Sequence, residues 1–85
     1  MRKLYIVRLD EAERGQVRAL VRTGKVAAYQ LTHARVLLKA DQGMSRKRVT
    51  DQVVAAAVEV GPATVARIRQ RFVEEGLDAA LRRKP

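Results

Sequence analysis

Residues 50–81, TDQVVAAAVEVGPATVARIRQRFVEEGLDAAL, decide how the rest of the chain is read. They predict two helices joined by a tight turn. Pro62 suits the first position of the second helix, where a missing N–H costs nothing. Gly61 before it is a permissive N-cap. Val65, Ile68 and Phe72 recur at three- and four-residue steps and form one apolar stripe. At about 100° per residue, Ala63, Arg67, Gln70, Arg71 and Glu74 fall on the opposite face. Arg and Gln are side chains that pair with base edges in a DNA groove. Taken alone, the pattern favours an ordinary surface helix with a solvated charged face.

The preceding helix changes that balance. Thr50 is its expected N-cap, and Val54, Ala55 and Val58 give it a short apolar face. A helix-turn-helix needs a small residue in its first helix so that the two helices approach closely, and Ala55 meets that need. Val60 supplies a buried residue in the turn. Val65 and Ile68 supply apolar anchors early in the second helix. The position four residues after the small one usually holds Gly, because the turn asks for a positive φ. Glu59 stands there. Either the turn has another shape or Glu59 accepts strain.

The chain has 85 residues, enough for one domain with a modest core. Hydrophobic residues make up 47%, which excludes a disordered tail, and aromatics only 4%, so the core is built from Val, Leu, Ile and Ala. The net charge is +9, with +5 in residues 1–43 (nine Lys/Arg against four Asp/Glu) and +4 in residues 44–85 (nine against five). The charge therefore belongs to the fold as a whole and points to a polyanion, first of all nucleic acid. No helix pairs a wide apolar face with aromatic anchors, so a membrane surface fits less well. Without cysteine there is no disulfide framework and no thiolate metal site. No signal peptide or membrane-length apolar run is present, and a cytoplasmic protein is expected. Neither a cofactor nor a small-molecule substrate is implied.

Outside the central stretch, residues 3–8, KLYIVR, favour an extended segment. It either packs as an arm against the helices or pairs with its copy in a homodimer. Asp10 and Glu13 have the spacing of a capping box. The helix they open carries Val17, Leu20 and Val21 on one stripe and ends at Gly24. Arg14, Arg18 and Arg22 form a ridge along it, which reads as a solvated face before a phosphate contact. A second helix runs from about Ala27 to Ala40, with Ala27, Leu31, Ala34, Leu37 and Leu38 on one face. His33 has no partners at metal-ligand or catalytic spacing and reads as a structural or surface histidine. Arg46, Lys47 and Arg48 form a basic connection, equally a phosphate contact or a solvated loop. Gly76 ends the last long helix. Asp78 is expected to cap a short final turn whose Leu77 and Leu81 fold back onto the core.

TVARIRQRFVEEGLDAALRRKP at 64–85 resembles the end of the N-terminal DNA-binding region of mariner-related bacterial insertion-sequence transposases. LTHARVLLKAD at 31–41 is similar to the second helix of that region, and YIVRLDEAER at 5–14 to its start. FVEEGLDAAL is the most specific piece, since a generic helix-turn-helix does not require it. The resemblance covers nearly the whole chain. It implies a homeodomain-like, paired-domain-like helix-turn-helix that binds terminal inverted repeats. It places the recognition helix at residues 62–74 and its support at 51–58. Glu59 departs from the family's turn Gly. The family's catalytic domain, with its Asp-Asp-Glu triad, is not in this sequence.

The expected fold is all-α: four main helices, an extended arm (1–9), two helices (10–43), a helix-turn-helix (50–75), and a C-terminal turn and linker (76–85). Leu37, Leu38, Val54, Val58, Val65, Ile68 and Phe72 are its expected centre. The expected partner is double-stranded DNA. Ala63, Ala66, Arg67, Gln70 and Arg71 are the candidates for base contacts. Arg46, Lys47, Arg48, Thr64 and Arg69 are the candidates for phosphate contacts. A stand-alone regulator with the same fold, or a basic protein-interaction domain, remains open. The carboxylates show no catalytic or metal-ligand arrangement, so no catalysis by this chain is expected.

Overall fold

The structure, a computed structural model, describes residues 5–43 and 49–82. Among them are five helices and no strand: α1 (Glu11–Thr23), α2 (Ala28–Ala40), α3 (Asp51–Val58), α4 (Pro62–Glu75) and α5 (Leu77–Leu81). The expected all-α class holds. The expected final turn is a helix of five residues.

Local chemistry sets most of the boundaries. The Asp10 carboxylate accepts from the Glu13 N–H at 2.7 Å, and Glu13 Oε1 accepts from the Asp10 N–H at 3.0 Å, closing the capping box. Thr50 Oγ1 accepts from the Val53 N–H at the start of α3. Pro62 opens α4 behind Gly61. Two expectations change. α2 begins at Ala28, with Ala27 as an N-cap that has no side-chain hydrogen bond. Asp78 is not the cap of α5: Gly76 is, at φ 95°, and Asp78 sits in the first turn beyond it. Its positive φ lets Gly76 end α4 and start α5 in one residue, a conformation that a side chain disfavours.

α2 is the centre of the domain. It packs on α1 at one side and on α3, α4 and α5 at the other, so α1 lies outside a three-helix unit formed by α2, α3 and α4. That position explains why α2 is buried more widely than one stripe allows. Ala34, Val36, Leu37 and Ala40 are all fully buried, Val36 from outside the expected face. Leu37, Val54, Val65 and Ile68 form the expected centre, while Leu38, Val58 and Phe72 are only partly buried against it. Val7, Leu9, Val17, Leu77, Ala80 and Leu81 fill the rest.

The extended segment takes the first of its two expected roles. Residues 5–10 pack as an arm with Val7 and Leu9 buried. The Val7 carbonyl accepts from the Gln42 N–H at 2.9 Å, and the Leu9 N–H donates to Asp41 Oδ1 at 3.0 Å. Arg14 closes this corner. Its Nε donates to Asp41 Oδ2 at 2.9 Å and its Nη2 to the Leu9 carbonyl at 2.9 Å. Of the two expected roles, His33 takes the structural one: Nδ1 lies 2.9 Å from the Ala80 carbonyl, which ties α2 to α5.

Candidate nucleic-acid interface

The turn between α3 and α4 fixes how α4 is presented. Ala55 is buried and small, so α3 and α4 pack closely. The N–H groups of Glu59 and Val60 both donate to the Ala55 carbonyl, which closes the end of α3. Glu59 is in the left-handed region, φ 63° and ψ 46°. Of the two possibilities left by its sequence, the turn keeps its shape and Glu59 takes the strain. Val60, expected to be buried in the turn, is half-buried and packs against the core.

With Val65 and Ile68 anchored, the far side of α4 faces solvent. Ala63, Ala66, Arg67, Gln70 and Glu74 are exposed, with Ala63, Arg67, Gln70 and Glu74 in one row along the helix. The base-contact candidates Ala63, Ala66, Arg67 and Gln70 therefore share one accessible face. Arg71 stands on its flank, half-exposed, and its Nη1 donates to the Arg82 carbonyl at 3.0 Å. Thr64 is half-exposed.

Arg69 requires a correction. Its charge and place on α4 suggest a phosphate contact, but only 6% of it is exposed. Its Nε pairs with Asp51 Oδ1 at 2.9 Å, and its Nη2 donates to the Val49 carbonyl. The guanidinium is committed to the start of α3. The signal was in the sequence: at 100° per residue, Arg69 lies only about 70° from the centre of the Val65–Ile68–Phe72 stripe, at the edge of the buried face. The outer face of α4 is consequently less basic than its composition implies. Arg67 is the one exposed arginine of α4, and Glu74 shares its row. Arg46, Lys47 and Arg48 lie outside the described residues.

The ridge on α1 divides as well. Arg18 and Arg22 are exposed, but Arg14 is the structural partner of Asp41. Burial pushes the Asp41 carboxyl up, but the Arg14 guanidinium and the N–H groups of Leu9 and Gly43 outweigh it and hold the group below the ordinary aspartate range. Among the described residues, no group of three His, Cys, Asp or Glu could hold a metal ion, and no helix is long and apolar enough to cross a membrane.

A small residue inside α3, a tight turn and an anchored α4 with an open outer face make up a helix-turn-helix. The winged helix-turn-helix family model matches residues 33–85, from the middle of α2 onward and over more than half of the chain. The chain belongs to the winged helix-turn-helix family. No curated protein and no solved structure matches it. In this winged helix-turn-helix domain the residues directly after α4 form α5, and the described residues contain no strand that would make a wing. Membership of the family supports DNA as the partner. Residues 1–32 lie outside the matched range, yet Val7, Leu9 and Arg14 are tied to Asp41 and Gln42 at the end of α2.

Sequence reasoning missed two residues beside the interface. Glu74 reads from the sequence as an outer-face residue without a role, and Tyr5 only as part of an extended segment. The Tyr5 hydroxyl donates to Glu74 Oε2 at 3.2 Å, a contact across 69 positions that helical periodicity within α4 does not predict.

Proposed function

We propose that this domain binds duplex DNA with sequence preference, through the outer face of α4, at the terminal inverted repeats of a transposable element. The chain performs no chemistry in this reading; it is the DNA-binding part of a transposase. The observation that carries the reading is the orientation of α4. Core packing on one side and the Arg69–Asp51 pair at its edge leave Ala63, Arg67 and Gln70 facing out together. Arg pairs with guanine O6 and N7 in the major groove and Gln with adenine N6 and N7, while Ala admits close approach or touches a thymine methyl. The element itself rests on the resemblance of residues 64–85, 31–41 and 5–14 to insertion-sequence transposases.

The test is a competition assay of the element's end sequences against scrambled duplexes of the same length. The wild-type domain is expected to prefer the ends by on the order of a thousandfold. Arg67→Ala should weaken binding to the ends by about 1–3 kcal/mol and relax the preference at one base pair. Equal losses on both duplexes would show that Arg67 does not read a base. Equal wild-type affinity for ends and scrambled DNA would remove the transposon reading.

A further inference from the structure

The row of α4 that faces outward contains an acid, Glu74, where a surface meeting phosphates gains from cations. Its two carboxylate oxygens are shared between two elements. Oε1 accepts from Gln70 Nε2 at 3.3 Å, one turn earlier on the same helix. Oε2 accepts from the Tyr5 hydroxyl at 3.2 Å. A side-chain pair four residues apart orders its members only weakly by itself. Here the second contact comes from outside the helix, and its donor is held. Tyr5 opens the arm whose Val7 and Leu9 are buried and whose backbone is bonded to Gln42 and Asp41.

We propose that Glu74 is a positioning residue for base reading: anchored by the Tyr5 hydroxyl, its carboxylate fixes the Gln70 amide in the orientation that reads an adenine edge. The inference rests on the reading of α4 as the DNA-facing helix. A carboxylate only accepts hydrogen bonds, so it selects the nitrogen end of the amide and suppresses the flipped rotamer. One Nε2 hydrogen is used on Glu74. The other, together with Oε1, forms the donor–acceptor pair that matches adenine N7 and N6. A guanine in the same place presents two acceptors, N7 and O6, and leaves the amide oxygen facing another oxygen. The arm thus acts on sequence preference without touching a base.

The test uses the full chain and a pool of duplexes randomised over about 20 base pairs, the extent of a typical binding site. Wild type, Gln70→Ala, Glu74→Gln and Tyr5→Phe each select from the pool, and preferences are read position by position. Glu74→Gln keeps the size of the side chain but offers one acceptor oxygen in place of two. Tyr5→Phe leaves the charge of the protein unchanged, so a general gain in DNA affinity cannot imitate its effect. Gln70→Ala should lose an adenine preference at one position by on the order of tenfold. Glu74→Gln and Tyr5→Phe should lower the preference at that same position by about two- to tenfold, the range expected for freeing one rotamer-rich side chain. Other positions and the melting temperature should stay at wild-type values. If Glu74→Gln and Tyr5→Phe keep the preference that Gln70→Ala loses, the positioning role is wrong while base reading by α4 stands. If Gln70→Ala changes no position, Gln70 reads no base and the proposal falls with that assignment.

Discussion

Glu59 shows what one residue costs in this fold. Its backbone must turn left-handed so that its own N–H and that of Val60 reach the Ala55 carbonyl. For a residue with a Cβ, that conformation costs roughly 1–2 kcal/mol. Glycine removes the strain but brings extra unfolded-state entropy, which returns part of the gain. Glu59→Gly should therefore stabilise the domain by about 1 kcal/mol, read as a raised midpoint in urea denaturation. An unchanged or lowered midpoint would mean that Glu59 is not strained. The sequence identified the position and the two possible outcomes. It could not choose between them, because the choice depends on how closely α3 and α4 pack around Ala55.

At the scale of the element, α4 illustrates how one helix divides its arginines. Arg67 faces solvent, Arg71 leans on the end of α5, and Arg69 is buried beside the start of α3. Arg69→Ala should lower stability by about 1–3 kcal/mol through the lost hydrogen bonds and packing. Arg67→Ala, on the open face, should change it by less than about 0.5 kcal/mol. Chemical denaturation of the two variants beside wild type separates them, and equal stabilities would refute the structural role of Arg69. The apolar stripe of α4 was legible because its own residues generate the period. Which arginine sits at the buried edge was legible only as an angle. Asp51 and Val49 lie on another segment, and their approach is a tertiary event.

At the scale of the molecule, Asp41 joins the arm, α1 and the end of α2. Its carboxyl lies below the ordinary aspartate range, so its contribution is fully present above the unfolded value, about pH 3.9. That contribution is lost as pH falls through the lower folded value. Asp41→Asn should cost about 1–3 kcal/mol near neutrality and show a flatter loss of stability below about pH 4. Urea denaturation across a pH series tests this, and parallel acid profiles for the two proteins would count against it. The +9 charge acts at the same scale. With ~5 phosphates neutralised, log K for duplex DNA should fall against log salt with a slope of roughly −4 to −5. A flat titration would be incompatible with binding to the phosphate backbone.

The sequence by itself determined the helices and most of their ends, the start of α2 and the cap of α5 excepted. Caps, proline and glycine positions and apolar periods act through neighbours a few residues apart, and Asp10, Thr50, Pro62 and Gly76 carry them openly. It also determined the helix-turn-helix, through Ala55, Val60, Val65 and Ile68. Only the tertiary structure decided that Val36 is core, that the arm bonds to Asp41 and Gln42 just past α2, that Arg69 is spent on α3, and that Tyr5 reaches Glu74. Each of these depends on which segments meet across long stretches of chain. Side chains such as Arg and Tyr, with apolar bodies and polar ends, satisfy either a buried or an exposed site, so their own identity does not decide.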